Sequence, residues 1–187
     1  MKSSIIGELI PDPYTAAWRN SKNVQSKQAI ATPLFDNQAI KYYLDFDGNE
    51  ALTIESADAA LANFFGIEAV LKEVIAIKAF ENWVDFNQAV GLLDGIEVFR
   101  ANENRPAWME YSLKNALWLA KLLEPSQVWE YITPTEIIIS KDRWNRSEET
   151  FVQILCDCAW EEEHGLQIIL KNGEELLRVS NQDGALF

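Results

Sequence analysis

Two cysteines, a histidine and three consecutive glutamates fall together in Cys156-Asp157-Cys158-Ala159-Trp160-Glu161-Glu162-Glu163-His164-Gly165. They include the only cysteines and the only histidine of the chain. Thiolates and imidazole suit zinc, so Cys156, Cys158 and His164 form one candidate metal set. Against it, Cys-x-Cys is not the usual knuckle spacing, no second Cys/His pair exists, and a fourth ligand would have to come from Asp157 or a glutamate. Catalysis is another use. Cys158 with His164 makes a thiol–imidazole pair, and Glu161 and Glu163 with His164 make an acid–base set. Recognition is the third: Glu161, Glu162, Glu163, His164 and Gly165 would form a charged hairpin tip able to dock a basic partner.

Which use survives depends on the strands that hold these residues. Thr150 to Trp160, Leu166 to Lys171 and Glu174 to Ser180 read as three strands. Asn172-Gly173 between the last two is a type I′ turn signal. A two-residue turn there sets Lys171 opposite Glu174, Ile168 opposite Leu177 and Leu166 opposite Val179. One face then carries Leu166, Ile168, Leu170, Leu177 and Val179. If Trp160 pairs with Leu166 across a Glu161 to Gly165 loop, then Val152, Ile154, Cys156, Cys158 and Trp160 extend that apolar face. Both cysteines then point into the core as small hydrophobes. Only the loop Glu161 to Gly165 stays a candidate functional element, and no catalytic residue is assigned.

The remaining elements follow from turn and periodicity signals. Residues 5–10, 14–19, 28–35 and 40–46 read as strands separated by Pro11-Asp12-Pro13, Asp36-Asn37 and Asp47-Gly48, a β meander over 1–48. Ser56 is the expected N-cap of a helix stopping at Gly66. Ile67, Val70, Leu71, Val74, Ile77, Phe80 and Val84 recur at three and four residues, predicting a second helix to about Ala89 with that face inward. Residues 92–99 allow a strand, 107–123 a helix that Pro106 opens, and 142–149 a charged loop. Ile137-Ile138-Ile139 marks a strand over 135–141. The expectation is a single α+β domain over 1–187. It has an antiparallel meander at 1–48, a mainly helical part at 56–124, and an antiparallel meander at 135–187 packed on the helices.

Composition narrows the function. The 187 residues are 48% apolar, with seven tryptophans and nine phenylalanines, enough for a core that needs no metal or disulfide. The net charge is −13, concentrated in residues 45–103, which hold twelve acids and three bases, and in 156–187, which hold seven and two. Phosphate backbones and anionic membranes are repelled by such blocks, whereas a basic protein is attracted. No apolar run reaches the ~20 residues that cross a bilayer, and no secretory signal pattern opens the chain, so a cytoplasmic protein is expected. No Gly-rich phosphate loop, nucleophile elbow or zinc-protease helix motif appears, and no cofactor is expected.

Three segments carry a resemblance: Ile132-Thr133-Pro134-Thr135-Glu136-Ile137, the stretch Cys156 to Leu166, and Gly173 with Gln182-Asp183-Gly184. Together they resemble a bacterial domain-of-unknown-function family that pairs a Pro-Thr-x-Ile strand with a Cys-x-Trp-(Asp/Glu)-x-Glu-His-Gly hairpin. No activity is established for that family, so the resemblance assigns no catalytic residue. By analogy, small acidic families of this kind resemble immunity or interaction proteins of bacterial toxin systems. The expected function is a non-enzymatic binding protein whose acidic surface meets a basic partner. The alternative is a small hydrolase or metal-dependent enzyme using the Glu161–His164 loop.

Overall fold

A computed structural model describes residues 1–15, 21–47, 52–89, 124–142 and 149–187. The expected strand 92–99 and helix 107–123 lie outside the described residues, as do 16–19 and most of the expected loop 142–149. Among the described residues, nine strands form one mixed sheet and two helices cover one of its faces. None of these helices is long and apolar enough to cross a membrane.

The first five strands are β1 (Lys2–Ser3), β2 (Gly7–Pro11), β3 (Val24–Ser26), β4 (Ile30–Thr32) and β5 (Gln38–Leu44). Tyr14 and Thr15 do not begin a returning strand as expected. Asp12 folds them into a turn, its Oδ1 accepting the Tyr14 N–H at 3.0 Å and its Oδ2 the Thr15 hydroxyl at 2.9 Å. The strand that pairs back onto β2 is β3. Asp36 and Asn37 do make a tight connection, both with positive φ (51° and 66°), a conformation their short polar side chains tolerate.

Two helices follow, α1 (Ile54–Phe65) and α2 (Ala69–Ala89). The N-cap of α1 is Thr53, not Ser56. Ser56 sits three residues in and completes a reciprocal capping box, donating its N–H to Thr53 Oγ1 and receiving the Thr53 N–H on Oγ. Gly66 ends the helix as expected. The inward face of α2 matches expectation in part: Leu71, Phe80 and Val84, with Ile67 just before the helix, pack half-buried against the core. Val70, Val74 and Ile77 are 66%, 40% and 45% exposed, and the buried residues are Ile75, Ala76, Ala79, Trp83 and Asn87. Both sets satisfy helical spacing. The alanines win because a small side chain lets the helix backbone approach its neighbours closely.

The C-terminal strands are β6 (Ile132–Lys141), β7 (Thr150–Cys158), β8 (Glu161–Lys171) and β9 (Glu175–Asn181), paired antiparallel in sequence order. Strand β6 lies parallel to β5, with Tyr42 beside Ile137 and Leu44 beside Ile139. That single parallel contact fuses the two expected meanders into one sheet. A continuous apolar layer results on the helix side: Tyr42, Leu44, Ile137, Ile139, Val152, Ile154, Cys156, Leu166, Ile168 and Leu170 are all essentially unexposed. The β8–β9 register is corrected by one residue at the turn, where Lys171 faces Glu175. Beyond a bulge it is corrected by two, so that Ile168 faces Val179. Leu176, not Leu177, therefore joins Val179 against the core.

The β1 edge is tied to α1 through Asp58. Its carboxylate accepts from the Ser3 hydroxyl, the Ser4 hydroxyl (2.6 Å) and the Ser4 N–H (2.7 Å). Burial raises the Asp58 carboxyl, but these hydrogen bonds outweigh it and leave it below its ordinary value. The lowered value makes its contribution to stability fully present above the unfolded pKa of about 3.9 and lost as pH falls through the folded value. Asp58→Asn should cost about 1 kcal/mol at neutral pH after discounting for solvent screening. In urea titrations across pH, its deficit should shrink as the wild-type carboxylate protonates.

Candidate functional site

The hairpin from Cys156 to Gly165 places its residues differently from a five-residue loop. The turn is Ala159-Trp160, and Cys158 pairs with Glu161. The next pair is Cys156 with Leu166, so Glu162 to Gly165 bulge out opposite Asp157 alone. Glu161 is nearly buried. One of its carboxylate oxygens accepts the N–H groups of Glu163 (3.1 Å) and His164 (3.3 Å) and lies 3.5 Å from His164 Nδ1. It therefore holds the bulge together. Glu162, Glu163 and His164 face solvent.

The thiols do lie in the core, Cys156 at 0% and Cys158 at 4% exposure. Burial pushes both thiols up, Cys158 to about 11, and the Glu161 carbonyl accepts from its Sγ at 3.6 Å. A thiol held protonated is a poor nucleophile and a poor ligand. Trp160 fixes the hairpin to the helix layer by donating its indole N–H to Asn82 Oδ1 at 3.0 Å. Among the described residues, no group of three His, Cys, Asp or Glu side chains is arranged to hold a metal ion.

A second constellation lies on the sheet face away from the helices, and sequence reading did not single it out. One β-bulge creates it. Ile132 and Pro134 of β6 face the core, as do Ile137 and Ile139. The parity changes because Thr135 is the extra residue between the pairs Pro134–Cys156 and Glu136–Leu155. Pro134 suits this irregular position because it has no N–H to place in the ladder. Thr135 anchors the bulge by donating its hydroxyl to the Leu155 carbonyl at 3.0 Å. Without the bulge, Glu136 would follow Ile132 and Pro134 into the core. With it, Glu136, Ile138 and Ser140 line the outer face.

Glu136 opens into a cavity of ≈320 Å³ formed by the Asp12 turn and by β5 and β6, with Tyr14, Asn23, Tyr43 and Asp45 in its wall. Asp45 and Ile138 also line a neighbouring cavity of ≈620 Å³, reached by Ser140, Asp142, Gln153 and Asp183. The two adjoin at Asp45 and Ile138, and together they are called the groove. The residue beside Glu136 in register is Lys41, but its ammonium donates to the carbonyls of Ser26 (2.9 Å) and Lys27 (2.8 Å). Glu136 is thus half-buried with no cation paired to it among the described residues. Burial raises its carboxyl, and the neighbouring Asp12 raises it further. Tyr43 is raised by burial, then by Glu136, Tyr14 and Asp12. Each of these groups resists further negative charge, and each would be relieved by a cation placed in the groove.

The sequence held one signal for this site: a single acid inside the β-branched run that follows Pro134. Asp12, between two prolines, signalled only a turn. No curated protein and no solved structure matches the chain. A family does: the chain belongs to the domain of unknown function DUF6985, which it matches over residues 5–187.

Proposed function

We propose that the chain is a non-enzymatic, cytoplasmic binding protein, immunity-like in manner, that receives a basic protein partner in the groove on the outer face of its sheet. Glu136 carries the reading: a half-buried carboxyl with a like-charged neighbour and, among the described residues, no paired cation. An arginine or lysine from a partner would supply the missing charge in the cavity that Tyr14 and Tyr43 help to line, where aromatic rings also attract cations. The net charge of −13 adds long-range steering toward the same class of partner. Of the hairpin residues, the exposed Glu162, Glu163 and His164 belong to the acidic surface around the groove and not to its floor.

The test is a short labelled peptide of alternating arginine and glycine, compared with its glutamate counterpart. The arginine peptide should bind, with affinity falling as salt rises, and Glu136→Gln should weaken it about tenfold. The same variant should be more stable than the wild type at pH 7, by about 0.5–1 kcal/mol once solvent screening is allowed for. The sign follows from the raised pKa: charging Glu136 costs the folded state, fully so above the folded value. That gain should vanish as pH falls toward the unfolded value of about 4.3. Binding that ignores charge reversal at Asp12 and Glu136 would defeat the reading.

A small hydrolase is the second reading. It draws on the same pair, two carboxyls that line one cavity, with that of Glu136 raised by burial and by Asp12. Turnover of ester or glycoside substrates that disappears in Glu136→Gln would favour it.

A further inference from the structure

The larger half of the groove has one wall that is not part of the sheet. After β9 the chain turns at Gly184, where φ is +74°, and residues 182–187 run back over the outer face as a strap. Three side chains hold it. Gln167, only 1% exposed, donates its amide to Asp183 Oδ1 at 2.7 Å and to the Ala185 carbonyl at 3.3 Å. Arg178 makes a two-pronged pair with the Asp183 carboxylate and donates to the carbonyls of Ala185 (3.2 Å) and Phe187 (3.4 Å). Phe187 meets the fully buried Phe151 edge-on, with ring centroids 5.6 Å apart, yet is itself 64% exposed. The strap therefore covers Phe151, an apolar residue on the outer face of the sheet, while its own residues stay mostly in solvent.

This fastening has a specific weakness. Arg178 is the cation that neutralises Asp183, and Asp183 lines the groove. A guanidinium or ammonium entering the groove competes with Arg178 for the same carboxylate. Resting on the proposed basic partner, we propose that residues 182–187 are a displaceable strap, which a cationic polypeptide releases by taking Asp183 from Arg178. Release widens the groove and adds the apolar surface of Phe151 to a floor that already holds Ile138. A partner would then be held by charge at Asp12 and Glu136 and by apolar contact beneath the lifted strap. Asp45, Lys141 and Asp142 are the other charged groups that line this cavity.

Hydrogen exchange on the full chain, with and without the arginine–glycine peptide, tests this directly. The peptide should deprotect the strap amides, foremost that of Ala185, which donates to Asp183 Oδ1 at 2.9 Å, while β7 and β8 stay protected. Arg178→Met removes the competitor and keeps Asp183. It should show those amides deprotected without ligand, and should bind the peptide about fivefold tighter, the size expected for one exposed ion pair. Peptide that binds both proteins equally and leaves strap protection unchanged overturns the strap and leaves the groove standing. Peptide that binds neither protein overturns both.

Discussion

Gly173→Ala should lower the unfolding free energy by about 3 kcal/mol or more, the largest effect expected of one added methyl group among the described glycines. Two costs add. Gly173 has φ +78°, where an L side chain costs roughly 1–2 kcal/mol. A Cβ there would also stand 1.9 Å from the Ala60 carbonyl oxygen and 3.0 Å from the Phe64 nitrogen, both backbone atoms of α1. Backbone in the middle of a helix cannot move aside as a flexible side chain can, so the hairpin itself must lift. That would also break the bonds that seat it: Asn63 Nδ2 to the Asn172 carbonyl (2.9 Å), and Thr150 N–H to Asn172 Oδ1 (2.9 Å). Calorimetry should show the midpoint falling by roughly 6–12 °C for a chain of this size. Asn172→Gly is the control. It keeps the turn conformation, loses only the side-chain acceptor, and should cost about 1 kcal/mol. Equal losses in the two variants would show that the turn does not bear on α1.

That same dipeptide was the clearest structural signal in the sequence, and its reading shows where such signals stop. Asn172-Gly173 announced a turn with two positive φ values, and both are present. It did not announce the three-residue loop that pairs Lys171 with Glu175, nor the bulge that brings Leu176 inward. Parity arguments still placed Cys156, Cys158 and Trp160 correctly, although the assumed partner of Leu166 was four residues off. An even slip preserves which face a side chain takes. An odd one reverses it, as at the β8–β9 irregularity that exchanges Leu176 for Leu177. Thr135 adds one residue to β6 and turns Glu136 from core to groove. No residue type compels a bulge there; it is set by pairing with β7, a strand that begins fifteen positions later. The α2 face is only partly legible, for another reason. Counting large aliphatic residues ranks Val70, Val74 and Ile77 above Ala76 and Ala79, whereas close packing rewards the small ones. The candidate site was illegible because its members lie far apart in the chain. Asp12, Tyr43 and Glu136 meet only through the parallel β5–β6 contact, which no local pattern foretells.

The second large effect is expected at Gly165, where the bulged hairpin, the core thiol and the strap converge. Gly165 has φ +67°, and a Cβ there would lie 2.4 Å from the Cys156 carbonyl oxygen and 2.7 Å from Gln182 Nε2. Gln182 donates that amide to the carbonyls of Cys156 (3.0 Å) and Leu166 (3.3 Å), closing the mouth of the bulge across the strand pair. The glutamine can rotate away, but the carbonyl belongs to the central β7 strand and cannot. Gly165→Ala should therefore cost about 2–4 kcal/mol, from the left-handed backbone and the backbone contact together. A second variant separates the causes. In a Gln182→Ala background the amide obstacle is gone, so the further loss from Gly165→Ala should shrink by only the side-chain share, roughly 0.5–1 kcal/mol. If the two substitutions instead cancel, the carbonyl contact carries no weight and the bulge is more pliable than its packing implies. Because Gln182 begins the strap, Gly165→Ala should also loosen protection of the Ala185 amide without touching Arg178. A hairpin whose Glu161, Trp160 and Gly165 all serve its own shape thus acts on the groove from behind, through the segment that walls it.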